Sequence, residues 1–326
     1  MRSLLTPERP LVSVIVPAYR SQRTVAAFLD ALAQQSWPDH EVILVDSSPD
    51  GSSAEIARRS FPHVRTLEMP RKLPPGVARN RGAAIAQGDL LVFSDPDVYP
   101  DRDWLARLVA AHESRGDVIV GALDCWGSRW FDRGIHLCKF SKWLPGQRPR
   151  RVDNSPTANM LVAREAFTAA GRFPDEGYLG DVILSRNLLA NGRRLWLEPT
   201  AVVSHHHLHS LRSFLRERFV RGRYYGEHRA GWLGGSRAAV LLLLLVSALP
   251  VRFLRILGLV AVQAGRSGWL LRYLATWPLV AAGHAASLAG ESVVYARLLR
   301  PSRATQADKE LGRSQGTQNT RRTPTS

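Results

Sequence analysis

Apolar and polar positions along the first part of the chain switch between two periods. Residues 11–16 are an apolar, β-branched run closed by Pro17, and residues 24–35 then place Val25, Phe28, Leu29 and Leu32 at helical spacing. Residues 41–45 repeat the apolar run, and Asp46, Ser47, Ser48, Pro49, Asp50 and Gly51 form a turn into a helix over 52–59. A short strand over 64–67, a helix over 76–87 and a buried strand over 90–93 follow, the last running directly into Ser94-Asp95-Pro96-Asp97. Such alternation predicts an α/β domain with a mostly parallel sheet, whose ligands bind at the carboxyl ends of the strands.

After a helix over 103–112 and a strand over 117–121 the periodicity is lost. The stretch 123–152 reads as irregular, basic and aromatic, interleaving Trp126, Trp130, Phe131, Phe140 and Trp143 with Arg129, Arg133, Lys139, Lys142, Arg148, Arg150 and Arg151. That mixture suits a membrane interface or a phosphate-bearing acceptor, and equally a solvated loop with core anchors. Regular structure returns with a strand over 158–162, a helix over 181–190 and a strand over 201–203 leading into His205, His206, His207 and His209. A helix over 211–225 carries Phe214, Leu215 and Phe219 on one side and several arginines elsewhere. It fits either an anionic membrane surface or a packed surface position.

In the last third, the uncharged runs are 238–251, 256–265 and 273–290. A spanning helix needs about 20 predominantly apolar residues, which only the last run approaches. Joining the first two would place Arg252 and Arg255 in mid-helix, at about 2.5–3.5 kcal/mol each on insertion scales. A shallow or re-entrant membrane hairpin with both ends cytoplasmic is favoured over two full spans. The resulting division is a tail over 1–10, a first half-domain over 11–122, a second over 123–230, a membrane-associated hairpin over 231–299 and a disordered basic tail over 300–326.

Composition adds a partner class. Hydrophobic residues make up 45% of 326 and charged residues 22%, enough for a sizeable core, while the formal charge of +16 implies an anionic partner. Neither zinc-finger spacing nor an aromatic RNA-binding signature occurs, so acidic lipid or a phosphorylated substrate is expected rather than nucleic acid. Cys125 and Cys138 provide no disulfide framework and match no zinc spacing, and residues 1–10 lack the apolar run of a secretion signal. A catalytic part on the cytoplasmic side of the cell membrane follows as the expectation.

The chemistry concentrates after the strand over 90–93. Asp95-Pro96-Asp97 offers two carboxylates, the ligand type that hard cations such as Mg²⁺ or Mn²⁺ take up. Asp97 would bind the metal and Asp95 would contact ribose or metal-bound water; alone, the pair also reads as an ordinary turn. The order Val14-Ile15-Val16-Pro17-Ala18-Tyr19, Val45-Asp46-Ser47-Ser48, Ala78-Arg79-Asn80-Arg81-Gly82, Phe93-Ser94-Asp95-Pro96-Asp97-Val98, Gly180-Asp181 and Val203-Ser204-His205 resembles the family 2 glycosyltransferases of the GT-A fold. The resemblance covers about residues 11–226. It implies that Pro17, Ala18, Tyr19 and Asp46 hold the nucleoside, that Arg79 lies beside the nucleotide, that His205 joins Asp97 on the metal, and that Asp181 is the general base.

A carboxylate at Asp181 also makes chemical sense independently, because a sugar hydroxyl needs a positioned base as its bond to C1 forms. Asp181 reads equally as a first-turn acid favoured by a helix dipole. The resemblance implies an EC 2.4 enzyme that inverts the anomeric carbon, with a nucleotide-sugar donor and a lipid-linked or glycan acceptor of the cell envelope. Arg20, Ser47 and Gly180 depart from the family pattern, and no Gln-x-x-Arg-Trp follows Asp181, so one sugar per encounter is expected. Two rivals remain: a catalytically degenerate membrane protein that binds nucleotide, and a sugar nucleotidyltransferase, whose usual Gly-rich phosphate loop is missing here.

Overall fold

The structure is a computed structural model that describes residues 11–175 and 179–300; the expected tail over 1–10 and the tail from 301 onward lie outside those residues. The first half builds β1 (Val12–Ala18), α1 (Val25–Ala33), β2 (His40–Asp46), α2 (Ser52–Ser60), β3 (Arg65–Glu68), α3 (Pro75–Ile85), β4 (Leu90–Ser94), β5 (Val98–Pro100) and α4 (Trp104–Arg115). The second builds β6 (Val118–Trp126), α5 (Trp130–Phe140), a 3₁₀ turn (Ser141–Trp143), β7 (Arg150–Val152), β8 (Asn159–Ala163), α6 (Arg164–Ala169), α7 (Gly180–Ala190), β9 (Leu195–His206) and α8 (Leu211–Trp232). Helices α9 (Arg237–Ala248), α10 (Pro250–Arg266) and α11 (Leu270–Leu299) close the described chain.

The strands form one sheet in the order β3-β2-β1-β4-β8-β6-β9-β5, with β7 beside the start of β9. Parallel pairing holds for β1 with β2 and β4, for β2 with β3, and for β6 with β9; β8 runs antiparallel to both β4 and β6, and β5 and β7 run antiparallel to β9. The expected mostly parallel sheet is therefore a mixed one. β8 lies between the parallel group β3-β2-β1-β4 and the parallel pair β6–β9 and runs against both of its neighbours. The expected division at 122/123 falls inside β6, so both halves share the sheet.

Alternate residues of β2 point to opposite sides. Val42 and Leu44 join the main core with Val14, Phe28 and Leu91, whereas Ile43 and Val45 pack with Ala78 of α3. Both faces are thus covered, which is why the β1, β2 and β4 runs are continuously apolar. Asn159 of β8 links the two halves: its Nδ2 donates to the carbonyls of Ala122 at 2.8 Å and Ala201 at 3.0 Å, and its Oδ1 accepts from Trp104 Nε1 at 2.8 Å. It sits where the β6–β9 register breaks between Gly121 and Ala122. A Cβ at Gly121 would come within 2.2 Å of Asn159 Nδ2, so this buried bridge needs glycine there.

The stretch 123–152, expected to be irregular, carries the end of β6, all of α5, the 3₁₀ turn and β7. Ile135, Leu137 and Cys138 of α5 form a second core with Phe214 of α8, Val260 of α10 and Tyr273, Leu279 and Val280 of α11. The helix over 211–225 extends to Trp232 and is packed rather than free: a Cβ at Gly222 would lie 2.0 Å from the Ser287 carbonyl of α11, and one at Gly290 2.1 Å from that of Phe219. The run 273–290 lies within α11, which packs against α8 and α5 as well as α10. Arg252, whose charge weighs against a joined span, donates to Glu291 at 2.9 and 3.0 Å, and Arg229 donates to the same carboxylate at 2.9 Å.

Among the described residues no single helix is long and apolar enough to cross a membrane; α9 and α10, bent by 61° at their junction, meet that length and composition only as a pair. Their outer surface exposes Leu242, Leu245, Leu254 and Val262, and α11 adds Leu271 and Trp277.

Candidate active site

The sheet register assembles the expected residues at one edge. Ala18 pairs with Asp46, which sets Pro17, Ala18 and Tyr19 beside the end of β2. Across the site β5 pairs with β9 so that Val98 faces His205, and the Asp97 carbonyl accepts from the His206 amide at 2.8 Å. Asp97 and His205 are therefore brought together by backbone pairing of two segments more than a hundred residues apart. Asp97 Oδ2 lies 3.9 Å from His205 Nε2.

Asp46 is 1% exposed, and its two oxygens accept from the backbone amides of Ser48 at 2.9 Å and Ala54 at 2.8 Å. It fixes the β2–α2 turn and caps the first turn of α2. The carboxylate expected to reach the base thus also shapes the turn. Tyr19 carries Lys72 Nζ 4.4 Å above its ring, and Arg20, at φ 52°, takes the left-handed conformation while its amide donates to Ser48 Oγ at 2.7 Å.

Arg79 of α3 is buried and ion-paired with Asp95, leaving its Nε without a partner. Burial pushes the Asp95 and Asp97 carboxyls above the usual range, against the pull of Arg79 on the first and Lys139 on the second. Burial also drives His205 down to about 3, so its imidazole is neutral at physiological pH. A neutral imidazole facing a carboxylate, each lacking a cationic partner in direct contact, suits a divalent cation of the Mg²⁺ or Mn²⁺ type.

Asp181 opens α7 and accepts from Arg221 Nη2 of α8 at 3.0 Å. Although burial alone would lower it, the pKa of Arg221 is raised, because the Asp181 carboxylate holds the guanidinium charged. A further cation acts on this site, marked in the sequence only as one of the basic residues of the stretch 123–152. Lys139 of α5 contacts Glu217 at 3.4 Å and acts electrostatically on Asp97 and His205. Lys139 and Arg221 had no motif to mark them; each lies on a helix whose position depends on α11. At Gly180 a Cβ would make only ordinary contact, 3.5 Å from Phe173, so space there does not demand glycine.

Residues 13–169 match the sequence model of glycosyl transferase family 2. Over that stretch, a little under half of the chain, it is similar to that family. Its relatives include the glycosyltransferase AglE of Haloferax volcanii, 25% identical over 52% of this chain and 58% of the relative. The succinoglycan biosynthesis protein ExoO of Rhizobium meliloti is 34% identical over 60% and 61%. The pre-mycofactocin glycosyltransferase of Mycobacterium tuberculosis is 28% identical over 69% and 48%. The chain thus spans about half to three fifths of the length of these relatives. Among solved structures, a mannosyltransferase from Pyrobaculum calidifontis in complex with GDP-Man and Mn²⁺ superposes with a TM-score of 0.52 at 21% identity, covering 85% of this chain and 86% of that one. The chain accordingly has a GT-A-like mixed sheet followed by a helical C-terminal region.

Proposed function

We propose that this chain is a metal-dependent, inverting glycosyltransferase that moves one sugar from a nucleoside-diphosphate sugar to a lipid-linked or cell-envelope acceptor at the cytoplasmic membrane face. The observation that carries the reading is the pairing of Asp97 with His205 beside the carboxyl ends of β1 and β2. The match of residues 13–169 to the family 2 model and the Mn²⁺ complex of the Pyrobaculum fold relative support the same reading. A Mg²⁺ or Mn²⁺ ion at Asp97 and His205 would screen the diphosphate and stabilise it as a leaving group.

The chain's own residues do the rest. Pro17, Ala18 and Tyr19 form the nucleoside wall, and the turn held by Asp46 shapes the base pocket. Arg79 orients Asp95 toward ribose. Asp181 takes the acceptor hydroxyl proton, held in position by Arg221, while Lys139 adds positive potential beside the leaving phosphates. The membrane part of the proposal rests on the exposed apolar surface of α9 and α10 and on the surplus of arginine, which together fit an anionic lipid surface. Incubating the protein with lipid extract, Mn²⁺ and a panel of nucleotide sugars should yield a lipid or glycan product heavier by one sugar in mass spectra. Products extended by several sugars, or a nucleotide transferred to a sugar phosphate, would contradict the reading.

A further inference from the structure

Behind His205 lies a second group of ligating atoms that the donor site does not use. Cys125 at the end of β6, His136 in α5 and His207 just past β9 each offer one ligand atom, and the three atoms lie within 4.8 Å of one another. Three elements meet here because β6 and β9 run parallel, with Cys125 opposite His205, and α5 packs on β6.

Hydrogen bonding fixes which atoms face the centre. His136 Nε2 donates to the Leu123 carbonyl at 3.1 Å, so the lone pair of the neutral ring is on Nδ1. That nitrogen lies 3.1 Å from His207 Nε2. Two imidazole nitrogens so placed share either a proton or a cation. With bonds of about 2.0–2.1 Å, two histidines on one tetrahedral zinc stand about 3.3 Å apart, close to the spacing seen. A metal-bound histidine whose other ring nitrogen donates to a backbone carbonyl is the usual outer-sphere arrangement. The Cys125 thiol contacts only the Trp126 carbonyl, weakly, at 3.9 Å.

We infer that Cys125, His136 and His207 form a zinc site, separate from the donor-metal site, with the fourth position open. One thiolate with two imidazoles is a borderline-soft set that selects Zn²⁺ over the oxygen-seeking Mg²⁺ or Mn²⁺. Binding moves the shared imidazole proton to His207 Nδ1, which has no other partner, and releases the thiol proton to solvent. The ion would brace the donor site from behind, because the His207 ring stacks on His205 at 4.6 Å and 17°. The inference does not depend on glycosyl transfer, since its test reads metal binding alone.

Full-length protein stripped with a chelator is titrated with Co²⁺, a probe for zinc sites, without nucleotide. We expect a thiolate-to-cobalt charge-transfer band that saturates at one ion per chain and is reversed by Zn²⁺. It should persist in Asp97→Ala and in Cys138→Ser, and vanish in Cys125→Ser and Cys125→Ala, with circular dichroism showing the fold retained. A wild-type protein without the band, or a band that survives both Cys125 substitutions, overturns the inference and leaves the two histidines joined by a hydrogen bond. A band lost with Asp97→Ala would overturn it too, by assigning the ion to the donor site.

Discussion

Asp181, the proposed base, accepts from Arg221 at 3.0 Å, and the pairing fixes the orientation of its carboxylate. Asp181→Asn should lower kcat by about 10²–10⁴-fold, the usual worth of a general base, while the melting temperature stays near that of wild type. A turnover assay beside a thermal melt checks this, and near-normal kcat would remove Asp181 from the chemistry. The buried histidines give a pH signature. His136 and His205 are pushed down to about 3 by burial, whereas the unfolded chain titrates near 6.5. The unfolded state then binds more protons between those values, so stability is complete above about pH 6.5 and falls progressively as pH drops toward 3. Denaturant titrations at a series of pH values should show this slope, and His136→Gln should flatten it. Asp97 and Asp181 stood out in the sequence because short motifs carry them. The backbone contacts of Asp46 did not, because the amides of Ser48 and Ala54 are presented to it only by the folded turn.

Helix α5 shows why one element was missed. Its buried residues Asp132, Gly134, Ile135, His136, Leu137 and Cys138 go round the helix instead of lining one face, so no stripe of period 3.6 marks it. Its partners on α8 and α11 lie far along the chain, out of reach of any local window. The same remoteness concealed the role of Glu291. That buried carboxylate accepts from Arg229, Arg252 and the Tyr295 hydroxyl, and so binds α8, α10 and α11 at one point. Glu291→Gln leaves two guanidiniums without a counter-ion, and breaking a buried pair in this way costs about 3–5 kcal/mol, the lower end being expected where Arg229 reaches solvent. Urea titration should show the loss, and Glu291→Asp should recover part of it. At Gly290 a leucine would drive a side chain into the Phe219 carbonyl, so Gly290→Leu should separate α11 from α8 and expose the second core to limited proteolysis.

For the molecule as a whole, the α/β half was readable because continuous apolar strands alternate with amphipathic helices. The last third was harder to read. A run such as 273–290 suits a lipid interior and a protein interior equally, and only the α8 contacts distinguish them. What remains outward is the α9–α10 surface, flanked by exposed Arg255 and Arg223 on a chain of charge +16. Attachment of that surface to a bilayer should combine apolar insertion with charge. In flotation assays, vesicles rich in anionic lipid should carry the protein, neutral vesicles should carry less, and the difference should shrink above physiological salt, where screening acts within about 8 Å. Leu242→Asp with Leu254→Asp should release it, whereas equal binding to neutral and anionic vesicles would leave the charge without this role.

The central claim is that Asp97 and His205 form the catalytic metal site of a nucleotide-sugar transferase. Donor turnover measured with and without Mn²⁺, in wild type and in Asp97→Asn and His205→Ala, tests it most directly. The account expects Mn²⁺-dependent release of nucleoside diphosphate by wild type and its loss in both variants, with the folds intact. Metal-independent turnover, or full activity in either variant, would contradict it.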